Sequence, residues 1–204
     1  MKRAIFFVDG FNVFHALDEK TKYFKYKWLD YSALAYSLVR TSDKIDRILY
    51  FTAFAVWSKD KMKRHKILVE AIESKGVEII LGKFKKRDRR CSLCNRVYST
   101  FEEKLTDVNI AVKLIELAAK DEYEVAYLIS ADSDLSPAVS SVKSLYPNKE
   151  IIVVFPLNRR SSELEKASGR KAFYIETKHL NRSLLPDPFT LPSGKTLIRP
   201  SNWY

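Results

Sequence analysis

The sequence predicts an open α/β domain built on a mostly parallel sheet. Three observations carry that expectation. Several short segments are nearly continuous apolar runs rich in β-branched and aromatic residues. They lack the polar alternation of a half-solvated strand, as expected for strands covered on both faces. Segments of helical periodicity lie between them. Strand alternating with helix is the pattern of right-handed crossovers that clothe both faces of one sheet.

The strands expected, in order, are Ala4–Val8, Arg47–Val56, Val77–Leu81, Val125–Ser130, Ile151–Phe155 and a weaker Ala172–Ile175. The first intervening helix, Tyr31–Arg40, sets Leu34, Leu38 and Val39 on one stripe. The second, Lys59–Lys75, groups Met62, Ile67, Ala71 and Ile72 behind a strongly basic first half. Thr106–Lys120 spaces Val108, Val112, Ile115 and Ala119 at helical intervals, and Leu135–Leu145 carries Val139 and Val142. Ser161–Ser168 reads as a short polar helix. The domain is expected to span 1–181, with a Pro-rich C-terminal arm over 182–204. Four of the seven prolines fall in Pro186–Pro200. The arm's Phe189, Leu191, Leu197, Ile198, Trp203 and Tyr204 favour packing, while its proline content also fits a free tail.

At 204 residues, 46% hydrophobic and 13% aromatic, the chain can bury a real core, which excludes global disorder. No apolar run approaches the roughly 20 residues of a membrane span, so no membrane partner is expected. Met1–Val8 is too short for the apolar core of a signal peptide. The expected location is therefore intracellular, in the cytoplasm. Two cysteines exclude a disulfide scaffold. Thirty-six Lys and Arg against 25 Asp and Glu leave a net charge of +11. Such an excess favours a polyanionic partner: nucleic acid, an anionic surface or an acidic protein.

In open parallel sheets, ligands gather beyond the carboxyl ends of the strands. Asp9-Gly10-Phe11-Asn12 follows the first strand, and Ala131-Asp132-Ser133-Asp134 follows Val125–Ser130. Gly10 is expected to give the backbone freedom for a sharp exit. Thr106 reads as the N-cap of its helix, which places Asp107 in the first turn, where the dipole favours a carboxylate with or without a function. Asp134 also reads as a cap for the helix beginning at Leu135. Together the pattern is stronger. Asp9 and Asp132 on adjacent central strands would lie close, with Asp107 and Asp134 near them. Clustered carboxylates without a basic partner repel one another, and a hard divalent cation removes that cost. Carboxylate and water ligands favour Mg²⁺ or Mn²⁺ over zinc. One or two ions, the latter about 3.5–4 Å apart, could activate water against a phosphodiester.

Three ordered segments resemble the NYN family of PIN-like nuclease domains, which includes LabA-like bacterial proteins. They are Phe7-Val8-Asp9-Gly10-Phe11-Asn12, Glu103-Lys104-Leu105-Thr106-Asp107-Val108 and Ile129-Ser130-Ala131-Asp132-Ser133-Asp134-Leu135. The first is the DGxN tip. The second is similar to the family's Lys-Gly-Val-Asp block and the third to its Ser-Gly-Asp-Ser-Asp-Phe block. The resemblance implies a PIN-like sheet ordered 3-2-1-4-5 with helices on both faces, and a Mg²⁺- or Mn²⁺-dependent ribonuclease. It implies that Asp9, Asp107, Asp132 and Asp134 bind metal and, with Asn12, form the catalytic set. Ser130, Ser133 and Lys104 become supporting groups. Ala131 stands in place of the usual Gly, Leu105-Thr106 in place of Gly-Val, and Leu135 in place of Phe. No carboxylate is lost.

Two basic clusters, Lys59–Lys66 with Lys63 and Arg64, and Lys83–Arg90 with Lys83, Lys85, Lys86, Arg87, Arg89 and Arg90, are expected to hold phosphates beside the acids. Phe84, Tyr98 and Phe101 are candidates to stack unpaired bases, which makes single-stranded RNA the favoured partner. Arg159, Arg160, Arg170 and Lys171 form a possible third patch. Cys91-Ser92-Leu93-Cys94 has the spacing of a zinc knuckle or a redox pair. Closing a zinc site needs His65 or a second subunit, since the chain has no other cysteine, and reduced surface thiols remain the plain alternative. His15 and His179 read as structural or solvent-facing. Three functions stay open: an RNA nuclease, a non-catalytic RNA-binding module and a DNA nuclease. The tail and Tyr-rich surfaces are candidates for homo-oligomer contacts.

Overall fold

The computed structural model describes residues 1–204. Six parallel strands form one sheet: β1 (Lys2–Asp9), β2 (Asp43–Thr52), β3 (Glu78–Leu81), β6 (Val125–Ile129), β7 (Glu150–Phe155) and β8 (Phe173–Tyr174), in the order β3-β2-β1-β6-β7-β8. Counted along the chain, these strands read 3-2-1-4-5-6, the expected order with the weak sixth strand added at the edge. The order reverses between β1 and β6, so the crevice at their carboxyl ends is the natural ligand site. Val8 pairs with Tyr50 on one side and Ile129 on the other.

β1 shows why the sheet is buried on both faces. Ala4, Phe6 and Val8 point into one core, and Ile5 and Phe7 into the other. The first core is closed by α1 (Gly10–Asp18), α2 (Tyr31–Leu38), α3 (Lys59–Glu73) and α7 (Thr177–Arg182). The second is closed by α4 (Thr106–Ala119), α5 (Ser136–Leu145) and α6 (Ser162–Ser168). Phe6 stacks on Tyr127 of the neighbouring strand at 4.4 Å. Full burial of each such side chain contributes about 1.5–3 kcal/mol.

Several elements differ from expectation. The second strand starts and ends four residues earlier than the apolar run, because pairing from Lys2↔Asp43 draws its polar first half into the sheet. Helix α1, unassigned in the sequence, begins directly at the strand tip, with Asp9 as its cap: its carboxylate accepts from Asn12 N–H at 3.0 Å. Gly10 is needed for close approach rather than for backbone freedom. A Cβ there would lie 2.6 Å from the Tyr50 ring and 2.7 Å from Phe51 O. The basic segment Lys83–Arg90 forms strand β4. It pairs antiparallel with β5 (Val97–Lys104) in a separate two-stranded ribbon.

Thr106 is the first residue of α4 rather than its cap. Glu103 accepts from Thr106 N–H at 3.0 Å and from its hydroxyl at 2.5 Å. Leu105, before it, sits in the left-handed region at φ 81°. The chain beyond α7 packs on the first core through Leu185, Phe189, Leu191, Leu197 and Trp203. Its start is tied to the segment before α2: Trp28 Nε1 donates to Pro186 O at 2.9 Å and Asp30 N–H to Ser183 O at 2.7 Å. Strands β9 (Phe189–Thr190) and β10 (Thr196–Leu197) make a small hairpin there, and Lys195 beyond its turn pairs with Glu70 of α3 at 2.6 Å. No helix is long and apolar enough to cross a membrane.

Candidate metal centre

Asp9 ends β1, Asp132 follows β6, and Asp107 occupies the first turn of α4. One carboxylate oxygen of each lies within 4.8 Å of those of the other two. Hydrogen bonds hold the acids in place. Ser130, fully buried, donates its hydroxyl to Asp9 Oδ2 at 2.8 Å and accepts from Asp132 N–H at 3.0 Å. Asn12 Oδ1 accepts from Ala131 N–H at 3.1 Å, which pins the β6 loop to α1. Asp134 N–H donates to Asp132 Oδ1 at 3.0 Å.

The electrostatics are those of uncompensated anions. Burial pushes the Asp9 carboxyl up to about 6 against the pull of the Asn12 N–H and the Ser130 hydroxyl, and Asp132 and Glu103 add to the rise. Burial also lifts Asp107 to about 6, with Asp9, Asp132, Glu103 and Asp134 adding repulsion. No lysine or arginine offsets either group. Three hard oxygen donors in a negative pocket fit a divalent cation of the Mg²⁺ or Mn²⁺ class.

These acids line a cavity of about 970 Å³. Its cationic walls are Lys27, Lys61, Arg64 and Arg159, and its aromatic walls include Phe11, Trp57, Phe84 and Phe101. Trp57 stacks on Phe101 at 4.3 Å with planes 9° apart, and meets Phe84 edge-on at 4.4 Å. Phe84 in turn touches Phe11 at 5.6 Å. The ribbon thus leans over the site through its aromatic face. Side chains alternate along a strand, so Phe84, Lys86 and Arg90 share that face with Phe101, the partner of Lys86. Lys83, Lys85, Arg87 and Arg89 point the other way, as does Tyr98, the partner of Arg89.

The structure sorts the expected residues. Asp9, Asn12, Asp107 and Asp132 line the cavity, with Ser130 beneath them. Asp134 is exposed in a one-turn 3₁₀ helix (Ser133–Leu135) and lies outside the triad; Ser133 lies outside the cavity too. Lys104 pairs with Glu102 at 3.4 Å, away from the acids. Arg64 lines the cavity and Lys63 does not. Arg87 and Arg89 both pair with Glu102, at 3.2 and 2.5 Å. The third basic patch is divided among acids: Arg159 with Glu19, Arg160 with Glu165 and Arg170 with Glu150. His65 bonds Thr52 Oγ1 at 3.1 Å in the cavity wall, and burial lowers it to about 4, so it is neutral. It stands apart from Cys91 and Cys94 at the ribbon's turn. His15 lines the cavity at its exposed rim, and His179 Nδ1 accepts from Glu176 N–H at 3.0 Å as part of a capping box.

Sequence reasoning missed Glu103 and Trp57 as site residues and held Lys61 only within the basic cluster Lys59–Lys66. Glu103 was visible only as a flank of a motif. The Lys61–Arg64 spacing on one helix face was the available signal for Lys61. Trp57 offered none, since a loop aromatic declares no partner.

The model of the NYN domain matches residues 3–176. A curated relative, 6-hydroxy-3-succinoylpyridine 3-monooxygenase of Pseudomonas putida, is 22% identical over 99% of this chain and 75% of its own length. A solved structure of a protein of unknown function from Vibrio parahaemolyticus superposes with a TM-score of 0.58 at 22% identity, covering 90% of this chain and 96% of that one. That likeness shows the shared fold.

Proposed function

The chain belongs to the NYN domain family, and from that premise we propose that it is an endoribonuclease that hydrolyses RNA phosphodiester bonds with water as nucleophile. The observation that carries this reading is the convergence of Asp9, Asp107 and Asp132 with no basic partner. The family suggests a nuclease-type activity, and the acidic triad suits a divalent metal. The activity named for the Pseudomonas relative is that protein's own and, at 22% identity, is not carried to this chain.

Asp9, Asp107 and Asp132 would hold Mg²⁺ or Mn²⁺, which supplies charge neutralisation, a more acidic water and stabilisation of a phosphorane-like transition state. Ser130 and Asn12 orient the acids. Lys61 and Arg64 in the cavity wall, with Lys86 and Arg90 on the ribbon face that carries Phe84 and Phe101, would hold backbone phosphates. Water attacks phosphorus, the bond to the leaving sugar oxygen breaks, and that oxygen takes up a proton. Trp57, Phe84 and Phe101 form a wall on which an unpaired base can stack, at about 1–3 kcal/mol per base. This favours a single strand over a duplex, whose bases are already stacked.

The test is incubation with end-labelled single-stranded RNA, single-stranded DNA and duplex RNA, each with Mn²⁺, Mg²⁺ or EDTA. Metal-dependent cleavage of the RNA strand, abolished by Asp132→Asn while binding persists, supports the reading. Binding without cleavage under any divalent ion sinks it in favour of a non-catalytic module. Preferred cleavage of DNA sinks the RNA assignment.

A further inference from the structure

The turn of the β4–β5 ribbon carries Cys91 and Cys94, both free, roughly 20 Å along the strand from Phe84 and the acidic cavity. The chain closes a tight turn at Cys91. Asn95 N–H donates to Cys91 O at 2.9 Å, and Cys91 N–H donates to Arg96 O at 2.9 Å. Asn95 adopts a left-handed φ of 55°, which turns the chain into β5. The turn thus carries both thiols in one short closed loop, Cys94 exposed and Cys91 half-buried, and the thiolate is the form that binds metal.

We propose that this turn is half of a structural zinc site, completed by Cys91 and Cys94 of a second copy, so that four thiolates on one Zn²⁺ join two chains ribbon to ribbon. Two soft ligands at this spacing select zinc rather than the hard ions suited to the carboxylates. A closed structural site takes four ligands, and each turn supplies two. No His, Asp or Glu joins the cysteine pair to make a third donor, the acidic triad being the one such cluster in the chain. The site is therefore incomplete without a partner.

Access and charge agree with this. Leu93 at the apex is 94% exposed and Cys94 is exposed, so nothing in the chain blocks a second turn. Two turns bring like-charged arginines together, but a zinc tetrathiolate carries a charge of about −2 and supplies their counter-charge. The ribbon also needs a restraint. Its strands join no other sheet and are mostly exposed toward the turn, and an isolated two-stranded hairpin is marginal in water. A metal cross-link at its end would hold it. Binding displaces thiol protons to solvent and involves no oxidant. The inference stands whether or not the acidic cavity cleaves RNA.

The experiment uses the full chain, reduced and stripped of metal, titrated with Co²⁺ and then Zn²⁺. Thiolate-to-cobalt charge-transfer bands should saturate at half an equivalent per chain and vanish as zinc displaces cobalt. Sedimentation should give a dimer with zinc and a monomer after chelation. Cys91→Ser and Cys94→Ser should each abolish bands and dimer while leaving circular dichroism unchanged, since both lie in an exposed turn. Asp132→Asn should keep both, which separates this site from the carboxylates. Saturation at one equivalent without a change of mass, absence of thiolate bands, a dimer that survives chelation, or formation of a Cys91–Cys94 disulfide in place of metal binding would each overturn the proposal.

Discussion

The Ser130 hydroxyl donates to Asp9 Oδ2 at 2.8 Å while accepting from Asp132 N–H at 3.0 Å, so one buried oxygen sets the spacing of two acids from adjacent strands. Ser130→Ala leaves a buried carboxylate oxygen and a backbone N–H without that partner. Urea unfolding should show a loss of about 1–3 kcal/mol. Single-turnover cleavage of RNA should fall about 10–100-fold, the range for groups that orient metal ligands. Wild-type activity in this variant would remove Ser130 from the positioning of the acids.

The triad is arranged at the expense of stability. Burial and four neighbouring carboxylates disfavour the charge on Asp107. Asp107→Asn should therefore stabilise the metal-free protein by about 0.5–2 kcal/mol, as relief of functional strain commonly does. Mn²⁺ should raise the melting temperature of the wild type, by the equivalent of about 2.7 kcal/mol at a hundredfold excess over Kd. The variant should lose most of that shift. Equal shifts in the two proteins would exclude Asp107 as a ligand.

Leu105 occupies a left-handed backbone at φ 81°. A side chain there costs on the order of 1 kcal/mol, which glycine avoids. Leu105→Gly should stabilise the fold by about 0.5 kcal/mol after glycine's greater chain entropy is offset. Of the two residues at which this sequence departs from the family's Lys-Gly-Val-Asp block, Leu105 thus stands where the backbone favours the family's glycine. Denaturant midpoints of the two proteins decide the matter, and a destabilised variant refutes the strain.

Lys85 and Lys86 are neighbours in sequence on opposite faces of the ribbon. Lys86 lies opposite Phe101, on the ribbon face whose Phe84 and Phe101 line the cavity, while Lys85 lies opposite Glu102 on the other face. Lys86→Ala should weaken single-stranded RNA binding several-fold and reduce the slope of log K against log salt by about 0.7. Lys85→Ala should do neither. Filter binding across a salt series distinguishes them, and equal effects would mean that the ribbon's aromatic face is not the groove.

At the opposite end of the sheet, Asp43 accepts from Arg40 Nε at 2.8 Å, from the Tyr127 hydroxyl at 2.7 Å and from the Ser42 hydroxyl at 2.8 Å. Burial by itself would raise its carboxyl, but these donors outweigh it and hold the group below the ordinary value. The sign follows from linkage: stability gained from this charge is present above the unfolded value of about 3.9 and is lost as pH falls through the lower folded one. Asp43→Asn should lower stability at pH 7 by about 2 kcal/mol. It should also flatten the loss below about pH 4. Chemical unfolding between pH 7 and 3 measures both, and parallel curves would contradict the assignment.

The amino-acid sequence by itself determined the parallel sheet and the strand-tip positions of Asp9 and Asp132, while the order of the strands came from the resemblance to the family. Continuous apolar runs need cover on both faces, and the ends of β1 and β6 follow from where their runs stop. It also determined that Asp107 opens a helix. Only the tertiary structure decided the membership of the site. Glu103 entered because its ribbon strand runs directly into α4, and Asp134, exposed in a single 3₁₀ turn, stayed outside the triad though its charge still reaches Asp107. Trp57 was placed by contacts with Phe84 and Phe101, residues far along the chain. Local periodicity states which side of an element is apolar. Which element then folds over which is settled by packing between distant segments, and that is where the cavity, its aromatic wall and the two faces of the ribbon arise.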